Sequence, residues 1–369
     1  MPPLTVMIKP ASSRCNFRCR YCFYADVAAH RTVSDCGMMT EETAALLIRR
    51  AMTYADGSVS FAFQGGEPLL AGLPFFEGFV REVRRQNVRK LQVHYALQTN
   101  GSLLTEDYAR FFAENGFLLG VSLDGTREIH DSLRLRPDGG GTWDTVTEKL
   151  GLLQRCGVEY NILCVVSSQT AAQPQKVWHS LKAHRYLQFI PCIDDFSAPA
   201  ADFSLQPDAY GRFLIGVFDC YEQAFRQGQP ISERVMDNYM SILTGMEPEH
   251  CGMRGRCGAY LLIEADGGVY PCDFYVLDEW KLGNIRDASV ARLMKSGPMQ
   301  RFQALSQILP PECRGCRWLS LCRGGCRRNR EPFTDGLPSP NRFCKSFRML
   351  FEARFDRMRA LADAIRHSR

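Results

Sequence analysis

Cys15-Asn16-Phe17-Arg18-Cys19-Arg20-Tyr21-Cys22 sets three cysteines within one short loop near the N-terminus of a 369-residue chain. Thiolates are soft ligands that select iron–sulfur clusters, zinc or copper. The odd number is informative. A structural zinc site and a closed cluster each want four ligands. Three from one loop point to a [4Fe–4S] cube whose fourth iron is open to another molecule. A zinc knuckle, or cysteines that simply fill a core, is the alternative reading of the loop by itself.

The length accommodates a barrel-sized domain and a smaller one. Hydrophobic residues make up 45% of the chain and charged residues 23%, as in a water-soluble globular protein. The formal charge of +5 is spread along the chain, which argues against a nucleic-acid binder. The opening MPPLTVMIKP lacks the charged and apolar regions of a signal peptide, and no segment has the length of a membrane span. The expectation is a cytoplasmic protein. In a reducing compartment, 16 cysteines indicate metal or redox chemistry rather than disulfides. Eight of them fall between Cys251 and Cys344, while Cys36, Cys156, Cys164, Cys192 and Cys220 are isolated and read as filler.

Residues 4–191 alternate apolar runs with amphipathic segments. The runs Leu4–Ile8, Val59–Phe63, Leu91–Leu97, Phe117–Leu123, Glu159–Val166 and Tyr186–Pro191 are expected strands, mostly continuous rather than alternating, as in a parallel sheet covered by helices. Helices are expected over Thr40–Tyr54, Pro74–Gln86, Thr105–Asn115, Thr142–Cys156 and about Gln173–His184, with Thr40 and Thr105 as N-caps. This is a parallel α/β unit, open sheet or incomplete barrel. Its conspicuous polar residues follow the strands, where such folds place active sites. They are Gln64-Gly65-Gly66-Glu67-Pro68, Gln98-Thr99-Asn100-Gly101 and Ser122-Leu123-Asp124-Gly125. The two glycines of the first group allow close backbone approach, and their N–H groups are expected to form an anion nest.

The C-x3-C-x2-C loop with an aromatic before its last cysteine resembles the signature of the radical S-adenosylmethionine (SAM) superfamily. The resemblance implies a (β/α)6 partial barrel over residues 1–235. It also implies that Cys15, Cys19 and Cys22 bind a [4Fe–4S] cluster whose open iron chelates SAM. Gly65, Gly66 and Glu67 then match the segment that binds SAM's amino group. Arg134, in a His-Asp-x-x-Arg arrangement with His130, is the candidate for its carboxylate. Ser122, Ile193 and Tyr21 complete the SAM contacts, while Gln64 and Gln98 face the substrate.

After a long loop over 194–206, helical patterns return at Pro207–Arg226 and Ser232–Leu243. Cys251-x5-Cys257 follows, then an Asp-Gly-Gly segment between apolar runs that reads as a β-hairpin ending at Cys272 and Asp273. Cys313-x2-Cys316-x5-Cys322-x3-Cys326 comes next, with Cys344 at the head of a final amphipathic helix. C-x9-G-x4-C from Cys257 to Cys272, together with these later cysteines, resembles the SPASM domain, here residues 236–369. That resemblance implies two auxiliary [4Fe–4S] clusters. Cys251, Cys257, Cys272 and Cys326 are assigned to the first, and Cys313, Cys316, Cys322 and Cys344 to the second. Spacing alone does not fix this connectivity, and two zinc sites are the structural alternative.

Ile8-Lys9-Pro10, Phe63–Pro68, Leu97–Gly101 and Tyr270–Tyr275 narrow the resemblance to anaerobic sulfatase-maturating enzymes over nearly the whole chain. These oxidise a Cys or Ser of a sulfatase, within a Cys/Ser-x-Pro/Ala-x-Arg motif, to Cα-formylglycine. The implied chemistry is hydrogen abstraction from Cβ by a 5′-deoxyadenosyl radical, deprotonation by Asp273, and electron transfer to an auxiliary cluster. Cofactors are three [4Fe–4S] clusters and SAM. The partners are the sulfatase and a flavodoxin- or ferredoxin-like electron donor, with no nucleic acid and no membrane. A SPASM maturase that cross-links a ribosomal peptide, for example through a thioether, is the alternative enzyme. A non-catalytic iron–sulfur or zinc interaction module is the alternative of another class.

Overall fold

The computed structural model describes residues 3–196, 200–258 and 260–367. The chain divides into two compact units, each assembled from separated segments: 1–122, 131–160 and 258–302 in the first, and 123–130, 161–257 and 303–369 in the second.

In the first unit the expected apolar runs are strands, β1 (Leu4–Ile8), β2 (Ser58–Phe63), β3 (Gln92–Thr99) and β4 (Phe117–Ser122), paired in parallel in that order. Helices Glu41–Tyr54, Leu73–Gln86 and Glu106–Glu114 fill the crossovers. Thr40 and Thr105 cap two of them, each hydroxyl accepting the N–H three residues on. Phe61, Phe63, Phe76, Phe79, Phe112 and Phe117 interlock beneath the sheet with mostly edge-on ring contacts. Within the second unit, β5 (Tyr160–Val166, whose first residue belongs to the first unit), β6 (Tyr186–Pro191) and β7 (Ser232–Glu233) pair in parallel. The long helices Pro207–Arg226 and Cys344–His367 pack against each other and are joined by Arg354 and Arg357 to Asp219 and Glu222.

Three expectations change. The segment read as a hairpin, β8 (Leu261–Ile263) and β9 (Gly268–Tyr270), is antiparallel, and β8 also lies parallel to β1 and extends the first unit's sheet. A two-residue strand β10 (Gly283–Asn284) follows on β9. The helix expected from Ser232 starts at Arg234, because Ser232 and Glu233 pair with β6 first. Two short helices, Phe23–Ala29 and Arg127–Leu133, were not foreseen; they lie within loop-like sequence just after the cysteine loop and the Asp-Gly turn. Part of the 194–206 loop, residues 197–199, lies outside the described residues. No described helix is long and apolar enough to cross a membrane.

Glu233 fastens β6 to the helix it caps. Its buried carboxylate accepts the Met236 N–H at 2.9 Å and the Phe189 N–H at 3.3 Å. Burial nonetheless pushes its pKa up to about 7. Between the unfolded value near 4.5 and that value the native state holds more protons, so stability falls as pH rises through this window and levels off above it. The expected loss from Glu233 is about 3 kcal/mol, and Glu233→Gln should remove that share, leaving a like fall from Glu67, which burial also raises to about 7. Denaturant midpoints of both proteins at pH 5 and pH 8 check this; parallel shifts in the two would remove Glu233 as the cause.

Candidate active site

The cysteine loop leaves the C-terminal end of β1 and is fastened on two sides. Gly66 N–H donates to Ser12 O at 3.1 Å and Glu67 N–H to Arg14 O at 2.7 Å. Arg18 N–H and Arg20 N–H donate to Leu135 O and Leu133 O. The first pair narrows the anion-nest expectation: of the two glycines, Gly66 has its N–H bonded to a backbone carbonyl just before the cysteine loop. Gly66 has no room for a side chain, since a Cβ there would stand 1.9 Å from Arg14 O. Gly65 holds φ +126°, a conformation glycine adopts freely.

Glu67 is completely buried and joins the ends of β2 and β3. Its carboxylate accepts from Leu69 N–H at 3.0 Å, Thr99 Oγ1 at 2.8 Å and Asn100 N–H at 2.8 Å. Burial raises its pKa to about 7 against the pull of those bonds. Asn100 passes the arrangement on, donating to Asn16 Oδ1 at 2.9 Å and lying 3.9 Å from the Cys15 sulfur. Burial pushes the Cys15 thiol up to about 11, with the charges of Glu67 and Cys22 adding to it. A bound cation has to supply the opposing field that makes it a thiolate. Arg134 Nη1 reaches the Cys19 sulfur at 3.9 Å, and its guanidinium lies 5.4 Å from the centre of the Tyr21 ring. Both Arg134 and Tyr21 are buried. Gln98 is half-buried near the end of β3, and Ser122 is buried as the last residue of β4.

In the same unit, β9 delivers Cys272 and Asp273. Tyr260 donates its hydroxyl to Asp273 Oδ1 at 2.8 Å and Gln64 Nε2 donates to Oδ2 at 3.0 Å. The Tyr24 hydroxyl lies 3.5 Å from Oδ2, and the Cys272 sulfur 3.4 Å from Oδ1. Burial pushes the Tyr24 phenol well above its ordinary range, and the charge on Asp273 adds to this. Beneath Tyr24 lies a buried ion cluster. Lys9 Nζ is 3.2 Å and Arg31 Nη1 3.5 Å from Glu264 Oε2, while Ser12 donates to the other carboxylate oxygen. Lys9 Nζ also stands 5.4 Å from the Tyr24 ring centre. Burial lowers the pKa of Lys9, and Glu264 opposes that shift.

The remaining thiols of the cysteine-rich C-terminal region are in the second unit. Burial raises the pKa values of Cys313, Cys322 and Cys344, and the charges of neighbouring thiols in this set, Cys316 among them, add to it. Cys251 acts likewise on Cys257, and both Cys326 Cβ and the His250 ring flank Gly252. Ile193 is half-buried in this unit, just beyond β6. His130 is a core residue whose Nδ1 accepts the Asp124 N–H at 3.2 Å. Among the described residues no three His, Cys, Asp or Glu side chains converge on the position of one metal ion. None of the sixteen cysteines is in a disulfide, and soft donors in sets of three and more suit iron–sulfur clusters, in which each thiolate binds its own iron.

Sequence reasoning missed Tyr24, Tyr260, Asn100 and the Lys9–Arg31–Glu264 cluster. Asn100 was visible only as part of an Asn-Gly turn, and the others carry no local signal.

Residues 10–177 match the family model of the radical SAM superfamily, and residues 251–317 match that of an iron–sulfur cluster-binding domain, SPASM. The chain is 42% identical to a cysteine-type anaerobic sulfatase-maturating enzyme of Clostridium novyi, over 99% of both chains. It belongs to the anaerobic sulfatase-maturating enzymes. A solved structure of one of them, native anSMEcpe with bound AdoMet and the Cp18Cys peptide, superposes with a TM-score of 0.94 at 41% identity, covering 99% of this chain and 100% of that one. A serine-type anaerobic sulfatase-maturating enzyme from Bacteroides thetaiotaomicron is 32% identical over 95% of this chain and 89% of its own. The family's cofactors are SAM and three [4Fe–4S] clusters, and the eleven thiols of the two cysteine-rich regions suit them in kind and number.

Proposed function

We propose that the protein oxidises a sulfatase cysteine to Cα-formylglycine, with residues 1–235 as the radical SAM domain and 236–369 as the SPASM domain. The observation that carries this reading is the Asp273 carboxylate, oriented by Gln64 and Tyr260 in the compact unit that also holds the Cys15–Cys22 loop. Cys15, Cys19 and Cys22 hold the SAM cluster. Cys251, Cys257, Cys272 and Cys326 hold one auxiliary cluster, and Cys313, Cys316, Cys322 and Cys344 the other. When bound, these groups supply a 5′-deoxyadenosyl radical that accepts the Cβ hydrogen atom and a sink for one electron.

The protein's own residues do the rest. Asp273 takes the thiol proton, so hydrogen atom, proton and electron each have a destination. Water then hydrolyses the thioaldehyde to the aldehyde, releasing hydrogen sulfide. Arg134 pairs with SAM's carboxylate, Gly65, Gly66 and Glu67 border its amino group, and Tyr21, Ser122 and Ile193 flank the nucleoside. Gln64 and Gln98 hold the substrate, Gln64 while bonded to the base. Partners are the unfolded sulfatase segment and a small one-electron carrier protein, in a cytoplasm that keeps the thiols reduced.

The experiment is anaerobic. Reconstituted protein receives SAM, a reductant and matched peptides carrying Cys or Ser in the sulfatase motif. Formylglycine from the Cys peptide, at least tenfold faster than from the Ser peptide, is the expected result, read by mass spectrometry alongside 5′-deoxyadenosine. Deoxyadenosine without aldehyde from either peptide would overturn the assignment.

A further inference from the structure

Two arginines just after Cys326 are almost completely buried, Arg327 with 3% and Arg330 with 2% of its surface exposed. They begin and end the short turn Arg327–Arg330. Arg330 reaches in two directions. Its Nη2 donates to Ser306 O at 2.6 Å and its Nη1 to Ile308 O at 2.7 Å. The Ser306 hydroxyl accepts the backbone N–H of Cys257 at 2.9 Å. Past Ile308 the chain turns at Pro310, whose carbonyl accepts the Cys313 N–H at 3.0 Å. One guanidinium is thereby tied to the segments that carry Cys257 and Cys313, one thiol from each auxiliary set. Arg327 follows directly on Cys326, a thiol of the first set only.

A guanidinium does not shed its proton, and burying one is costly unless anions lie close by. A cube held by four thiolates is a net anion, more so after reduction, and nearby charge sets its potential. We propose that Arg330 is an electrostatic element shared by the two auxiliary clusters, raising the reduction potential of both so that either takes up the electron released by the substrate. This rests on the auxiliary-cluster assignment above. The step is a one-electron reduction of one oxidised cluster, and the electron passes on to the one-electron carrier protein. Arg330 is a positioning residue: its role is to bias where charge settles, without touching substrate.

The test is a potentiometric titration followed by electron paramagnetic resonance on the full chain with Cys15, Cys19 and Cys22 changed to Ala, so that only auxiliary clusters report. Arg330→Gln should lower both midpoints by at least about 59 mV, a tenfold change in the one-electron equilibrium. Arg327→Gln should lower one midpoint only, and Arg330→Lys, which keeps the charge, should leave both near the parent values. Unchanged midpoints in Arg330→Gln at full auxiliary iron would overturn the proposal, as would Arg330→Lys behaving like Arg330→Gln. If Arg330→Gln fails to retain iron, Arg330→Lys decides: midpoints that fall although the charge is kept refute the electrostatic role. No peptide is present, so a negative result here leaves the maturase reading intact. A parent protein without iron at the auxiliary thiols would remove the cluster assignment and this proposal with it.

Discussion

Asp273→Asn is expected to cut formylglycine formation at least a hundredfold while SAM is still cleaved to 5′-deoxyadenosine. A positioned general base contributes about 10²–10⁴ in rate, and Asn cannot accept the proton. The substitution also disturbs the carboxylate's setting. Tyr260 and Gln64 both donate to Asp273, so the amide of Asn would point N–H groups at one of those donors. That change is confined to the Asp273 end of the unit, whereas Glu67, Asn100 and Arg134 gather around the cysteine loop. Deoxyadenosine and aldehyde should therefore come apart in this variant. Counting both products in one anaerobic assay reads the split; aldehyde at the parental rate would remove Asp273 as the base.

Gly66→Ala should be more drastic, and earlier in the sequence of events. A Cβ at position 66 would meet Arg14 O at 1.9 Å, Arg14 C at 2.5 Å and Ser13 C at 2.8 Å. These are backbone atoms, which have no rotamer to escape into. The loop has to move away, breaking the bonds from Gly66 to Ser12 and from Glu67 to Arg14. Three thiols that must converge on one cluster would lose their common frame. The variant is expected to reconstitute with about four fewer irons per chain, corresponding to one cube, and to yield no deoxyadenosine. Gly297→Ala, where a Cβ meets nothing within 4 Å, is the matched control. Iron analysis with a deoxyadenosine assay separates them; full iron and normal cleavage in Gly66→Ala would show that the loop tolerates displacement.

What could be read in the sequence follows from range. The cysteine loop, the Gly-Gly-Glu-Pro turn and the strand runs are local patterns, and the structure has those strands within a residue or two of their expected ends. Asp273 was visible through its neighbour Cys272 and a family resemblance. Its orientation was not, because its partners Gln64 and Tyr24 are 209 and 249 residues away in sequence. The same holds for Glu264, which reads as one acid in a hairpin and is in fact the counter-charge of Lys9 and Arg31. Gly66 was legible only in part, for a different reason. Glycine reports that something comes close without saying whether it is a ligand or another stretch of backbone.

The pairing of β1 with β8 has a consequence in time. Ribosomes deliver the N-terminus first, so Lys9, Arg31 and the cysteine loop emerge long before residues 261–264. Until then β1 has an unpaired edge and two cations have no carboxylate to share. The nascent chain cannot finish the floor beneath Tyr24, nor present Asp273, before more than two-thirds of the polypeptide has been made. The cysteine loop thus gains its floor from the same late segment that supplies Asp273, so the two groups of residues proposed to begin and to complete the reaction mature together.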